Sequence, residues 1–238
     1  GVYRNSQVWI NGHYLGKRPN GYLGFQYDLS PYLNYGDKNN EIIVKVDNSK
    51  QANSRWYSGS GIFRNVWLET TDKLHVEQWG TYVTTPEISA KSASVHLETT
   101  IRNQYTDSKS ATVLTTIFKN DTKVTSVTQN ISIASNAKQV LNQDLVVNNP
   151  ILWSVEKPEL YTAVTTVSID NKIIDQYKTT FGIRSFKFDL NKGFILNGKQ
   201  VKIKGVCMHH DLGPLGAAIN TRAIERQLEI LKEMGVNG

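Results

Sequence analysis

The residues best equipped for chemistry are three neighbours near the end of the chain, His209, His210 and Asp211. They follow an alternating segment, Lys199 to Val206 (KQVKIKGV), and so stand just past the carboxyl end of an expected strand. An imidazole both donates and accepts hydrogen bonds and changes charge near neutral pH, which suits a hydroxyl-bearing ligand or a developing charge. Asp211 can orient a histidine or close the following turn through its carboxylate. A pair of loop histidines held by structural hydrogen bonds is the plainer reading of the same residues. Metal binding fits poorly, because adjacent histidines on an extended chain point apart and metal ligands are normally spaced.

Arg55, Trp56 and Tyr57 precede Gly59-Ser60-Gly61, whose small residues let a backbone or a ligand approach closely. Core or interface packing explains the two aromatics equally well. Arg64 reads as a structural residue making an ion pair or backbone bonds. Glu225, Glu229 and Glu233 recur at four-residue steps on one helix, away from its apolar stripe, and read as solvated charges. Cys207 has no basic neighbour arranged to activate it and reads as a buried packing thiol. Trp9, Trp67, Trp79 and Trp153 read as core.

The elements that must position these residues are mostly strands. Val8 and Ile10 run into Asn11-Gly12, a pair suited to a type I′ hairpin, and His13 to Leu15 return. Asp28 to Pro31 mark a break; Glu41 to Asp47 alternates, with Ile42, Val44 and Val46 on one face; Ile62 to Glu69 reads as a further strand. Further strands are predicted at Leu74 to Val83, Ala93 to Asn103, Ala111 to Lys119, Lys138 to Val147, Tyr161 to Ile169 and Ile173 to Phe181. Six or seven strands at this spacing suit an immunoglobulin-like sandwich, with Trp153 and Tyr161 as its large core side chains. After residue 184 the pattern changes: a hairpin at Asn197-Gly198, the strand Lys199 to Val206, and a helix over Thr221 to Met234. That helix has Ile224, Leu228 and Leu231 as its stripe, Asn220 or Thr221 as its cap and Gly235 as its end. Strand, helix and then Val236 as a new strand open an α/β unit.

The 238 residues are 39% hydrophobic and 10% aromatic, enough for sizeable cores in one or two domains. The net charge of +6 is spread singly among acids without a basic run, which argues against a nucleic-acid partner. No stretch reaches the roughly 18 apolar residues of a membrane-spanning helix. The single cysteine cannot form an internal disulfide, and the compartment stays open.

Four segments in order carry a resemblance: VWINGHYLGKRPNGY from Val8, RWYSGSGIFRNVWL from Arg55, PILWSVEKPELYTA from Pro150, and FGIRSFKFD with GFILNGKQVKIKGVCMHHDLG from Phe181. Together they resemble glycoside hydrolase family two, most closely its bacterial β-galactosidases. The resemblance implies a mainly β chain in three parts. These are the later half of a jelly-roll sugar-binding domain (residues 1–71), an immunoglobulin-like β-sandwich (72–183) and the first strand and helix of a TIM (β/α)8 barrel (184–238).

Retaining glycosidases use two carboxylic acids about 5 Å apart. The resemblance puts both glutamates on later barrel strands, so this chain is expected to lack the catalytic pair and to be inactive alone. It implies a substrate-binding role for His209, with His210, Asp211 and Arg55 as further candidates; Trp56 and Tyr57 would offer rings to a sugar face. No metal or cofactor is expected within the chain; magnesium and sodium are implied for the parent enzyme only. The partner is a carbohydrate, and incomplete domains with apolar faces suggest a homo-oligomer. β-Glucuronidase, β-mannosidase and a non-catalytic carbohydrate-binding sandwich are the alternatives.

Overall fold

The computed structural model describes residues 1–50, 59–209, 212–216, 218 and 220–238. They form two compact units, one of residues 1–68 with 204–238 and one of residues 69–203.

In the first unit β1 (Val2–Tyr3) pairs antiparallel with β5 (Gly61–Ile62), and β2 (Ser6–Ile10) lies between β3 (His13–Arg18) and β4 (Ile42–Lys45). The expected hairpin forms: Asn11 and Gly12 take φ of 49° and 81°, the left-handed pair that a type I′ turn requires. Asn11 also ties the turn to β4, since its amide N–H donates to the Glu41 carbonyl (2.9 Å) and its Oδ1 accepts the Glu41 N–H (2.9 Å). Val8 and Ile10 are buried on one face of β2, as alternation demands.

The strand expected over Ile62 to Glu69 is corrected. Pairing stops at Ile62, and Val66, Trp67 and Leu68 are 70%, 78% and 77% exposed. A strand exists only where a neighbour takes its hydrogen bonds; Phe63 and Arg64 donate to the Gly1 carbonyl, but no described strand pairs with 63–69. Trp67 is therefore not a core residue of this chain.

The second unit is a sandwich. Its seven strands are β6 (Leu74–Thr84), β7 (Ser92–Asn103), β8 (Lys109–Lys119), β9 (Thr122–Ile133), β10 (Lys138–Asn148), β11 (Tyr161–Ile169) and β12 (Lys172–Phe181). One sheet runs β10-β7-β6 and the other β12-β11-β8-β9, all antiparallel, the topology of an immunoglobulin-like fold. β9 is the strand that the pattern failed to reveal. Its residues TKVTSVTQNISI hold few large apolar side chains, and its turn, Asn120-Asp121 at φ 45° and 62°, contains no glycine.

Strand β6 is interrupted. Val76 pairs with Ile101 and Thr81 with Thr99, so residues 77–80 bulge out opposite Thr100 alone. Gly80 is required there, because a Cβ would sit 2.6 Å from the Glu77 carbonyl oxygen. Trp79 takes φ 56° on this bulge and is 65% exposed, which overturns its core assignment. Tyr161 is buried as expected, whereas Trp153 is half-buried, packed on Gly182 and under the Arg184 guanidinium at 5.3 Å.

A small sheet follows: β13 (Phe186–Asp189), β14 (Gly193–Leu196) and β15 (Lys199–Gln200), with Asn197-Gly198 as the β14–β15 turn. The strand expected over Lys199 to Val206 is thereby shortened to two residues in this sheet. Helix α1 (Thr221–Glu233) closes the chain, capped by Asn220, whose side chain accepts the Ala223 N–H at 3.1 Å, and ended near Gly235 at φ 85°. No helix is long and apolar enough to cross a membrane among the described residues.

Candidate functional site

The stretch before His209 is held by an unusual partner. The Asn237 N–H donates to the Lys204 carbonyl (2.9 Å), the Lys204 N–H donates to Asn237 Oδ1 (2.7 Å), and the Val206 N–H donates to the Gly238 carbonyl (3.2 Å). Lys204 meets Asn237 and Val206 meets Gly238, so the two segments run in the same direction. Parallel neighbours need a long crossover between them, and α1 supplies it. The arrangement is two short segments running side by side in the same direction, joined through α1, and His209 follows the first of them.

Val206, Cys207 and Met208 form an open depression with Gln227, Ile230 and Leu231 of α1. Cys207 is exposed, which corrects its reading as a buried thiol. Its surroundings explain this: the depression it lines is open, and the helix flank is uncovered, with Leu228 at 50% and Met234 at 72% exposure. Only Ile224 and Leu231 of the expected stripe are partly covered.

His209 lies directly after this depression and is exposed. Beyond it the loop tightens into a 3-10 turn over Gly213–Leu215: the Leu212 N–H donates to the Gly216 carbonyl (3.0 Å) and the Gly216 N–H to the Gly213 carbonyl (2.9 Å). Gly213 and Gly216 have φ of 62° and 57°, which is why glycines flank this turn. The remaining candidates His210, Asp211 and Arg55, and with them Trp56 and Tyr57, lie outside the described residues.

The segment that carries Arg55 springs from a firm base. Asn48, only 9% exposed, donates from Nδ2 to Ser60 Oγ at 3.0 Å, joining the two ends. Asp47 accepts the Ser49 hydroxyl (2.6 Å) and the Ser49 N–H (3.0 Å). These bonds stabilise the ionised carboxylate and hold its pKa below the usual range, the hydroxyl contributing most. Arg64 is exposed and makes the backbone bond its reading allowed, its main-chain N–H donating to the Gly1 carbonyl (3.4 Å), while its guanidinium lies 5.2 Å from the Phe63 ring; among the described residues it forms no ion pair.

Glu225, Glu229 and Glu233 stay in solvent as expected. Arg222 spans Glu229 with two bonds of 3.0 and 3.2 Å and approaches Glu225 at 3.5 Å, so two of the three carboxylates share one guanidinium on the helix surface. Among the described residues no three His, Cys, Asp or Glu side chains converge to ligate a metal ion. The residue missed by pattern reading is Asn237: nothing in GVNG marks an asparagine that both donates and accepts across a crossover.

Comparison with known proteins agrees with this architecture. Residues 74–184 match the family model described as glycosyl hydrolases family 2. A β-galactosidase of Bacteroides ovatus is 52% identical over 239 residues, covering all of this chain and 28% of the relative. A putative β-glucuronidase of Formosa agariphila is 38% identical over 237 residues, again covering the whole chain and 22% of the relative. Among solved structures, a glycosyl hydrolase family 2 member from Bacteroides cellulosilyticus superimposes with a TM-score of 0.95 at 39% identity, over all of this chain and 32% of that one. The chain thus belongs to glycosyl hydrolase family 2, and it spans only a minor part of the length of each relative it matches.

Proposed function

We propose that this chain provides the β scaffold and part of the sugar pocket of a longer, retaining glycoside hydrolase that cleaves terminal β-D-galactosides. The observation that carries the reading is the side-by-side, same-direction contact of Lys204 and Val206 with Asn237 and Gly238 across α1. In α/β architectures ligands bind where loops leave the carboxyl ends of parallel strands, and His209 stands on such a loop. The segment is read as the first strand and helix of a (β/α)8 barrel, and residues 1–71 as the later part of a jelly roll.

In this reading His209 hydrogen-bonds a sugar hydroxyl, and His210, Asp211 and Arg55 add further contacts. The two carboxylic acids of the reaction are assigned to residues outside this chain, and its helical glutamates are poor substitutes, Glu225 and Glu229 lying in solvent beside Arg222 and Glu233 exposed. Magnesium and sodium sites of the enzyme likewise belong elsewhere. Galactose is preferred because the Bacteroides ovatus relative of that name shares 52% of its residues over the whole chain. The Formosa relative supports β-glucuronide cleavage as the second reading.

The test is a panel of chromogenic glycosides offered to the longer enzyme. Release from β-galactosides supports the proposal, and release from β-glucuronides alone replaces it by the second reading. The isolated chain is expected to hydrolyse neither.

A further inference from the structure

The core of the sandwich is divided by a polar layer. On β8 and β10 a buried polar residue separates the two apolar clusters, Thr115 between Val113 and Ile117 and Gln143 between Leu141 and Leu145; on β7 and β11 Thr99 lies between buried Leu97 and Ile101, and Thr165 between buried Ala163 and Val167. All four are at most 2% exposed. Thr115 donates to Gln143 Oε1 at 2.6 Å, a bond that crosses from one sheet to the other. With its single proton committed there, Thr115 accepts from Thr165 at 3.1 Å.

Two atoms of the layer remain without a protein partner, Gln143 Nε2 and Thr99 Oγ1. They belong together. Thr99 stands opposite Leu141 in the β7–β10 ladder, so Gln143 is its diagonal neighbour on the same inward face, within reach of a long side chain. A water molecule can accept from an amide and still exchange a hydrogen bond with a hydroxyl, and buried waters settle where such groups are otherwise unsatisfied.

We propose that one internal water molecule binds between the Gln143 amide and the Thr99 hydroxyl, completing a hydrogen-bonded pin through the centre of the sandwich. Thr99 and Thr165 lie on the second and sixth strands, the pair that antibody domains join by a disulfide. This chain has one cysteine, Cys207, outside the sandwich, so the polar pin occupies the place of that cross-link. The water fits either orientation of the amide, because it can donate as well as accept.

A high-resolution crystal structure of the full chain tests this directly. One solvent peak within hydrogen-bonding distance of both atoms is expected. Direct contact between the two side chains, or amide bonds to main-chain carbonyls without a solvent peak, would overturn the proposal. Thr99→Ser, which keeps the hydroxyl, should retain the peak and the unfolding midpoint better than Thr99→Val, which should lose both. Equal midpoints and an unchanged peak in the two variants would overturn it as well.

Discussion

Asn237 and Lys204 hold each other through two bonds, a main-chain N–H from Asn237 to the Lys204 carbonyl and the Lys204 N–H to Asn237 Oδ1, at 2.9 and 2.7 Å. This reciprocal clasp aligns the stretch that leads to His209 with the end of the chain. Asn237→Ala removes the side-chain half and is expected to cost about 1 kcal/mol locally, the net worth of one hydrogen bond. Hydrogen exchange should show lost protection at the Lys204 amide while the sandwich amides keep theirs.

Helix α1 depends on its cap more than on its packing, since none of its residues is buried. Asn220→Ala frees the Ala223 N–H and should cost about 1 kcal/mol. Circular dichroism should then show reduced helicity with the strand signal intact, and Asn220→Asp should restore it.

The sandwich is expected to fail through its core. Ile101 is fully buried in the cluster that joins Leu74, Val113 and Val167. Ile101→Ala leaves a cavity among these side chains and should destabilise this unit by about 2–5 kcal/mol in denaturant unfolding. Leu190, which is fully exposed, should tolerate Ala within about 0.5 kcal/mol.

Acid should weaken two surface turns. Asp189 accepts the N–H groups of Asn191 and Lys192, each at 3.0 Å, and these bonds hold its carboxyl below the usual range. Asp107 is held low chiefly by its bond to the Lys109 ammonium. A carboxylate whose folded pKa is depressed contributes stability that is present above its ordinary value near about 4 and is lost as pH falls through the lowered value. NMR titration should place both midpoints below those of unstructured peptides, and Asp189→Ala should reduce amide protection at Asn191 and Lys192 even at neutral pH.

Exposed apolar side chains predict association. Val66, Trp67 and Leu68 stand uncovered in succession, as do Leu228 and Met234 on the helix. Light scattering of the isolated chain should report more than a monomer, and Trp67→Lys should shift it toward the monomer; a stable monomer before substitution contradicts this.

The sequence was most legible where a residue's local preference and its partner coincide. Asn11-Gly12 and Asn197-Gly198 signal their turns because each pair accepts positive φ, and Asn220 signals its helix because its side chain meets a nearby N–H. Strand ends were less legible. Ile62 to Glu69 and Lys199 to Val206 alternate like strands, yet regular strand pairing ends at Ile62 and Gln200, and only a neighbouring edge decides that. β9 escaped because threonines and serines face outward along it, leaving Ile131 and Ile133 as its buried anchors. Exposure was the hardest property to read: Trp67, Trp79 and Cys207 look like core by type, but burial belongs to what covers them. Of the candidate site, His209 was expected just past a strand over Val201 to Val206, where the structure has no strand; the clasp by Asn237 was not legible, because it joins residues far apart in sequence.

The central claim is that His209 lines a sugar pocket in a β-galactoside-cleaving enzyme. The direct measurement compares kcat/KM for a chromogenic β-galactoside between the longer enzyme and its His209→Ala variant. Loss of one hydrogen bond to the bound sugar predicts a fall of roughly tenfold or more at unchanged unfolding midpoint. An unaltered kcat/KM, or no β-galactoside hydrolysis by the unmodified enzyme, would contradict it.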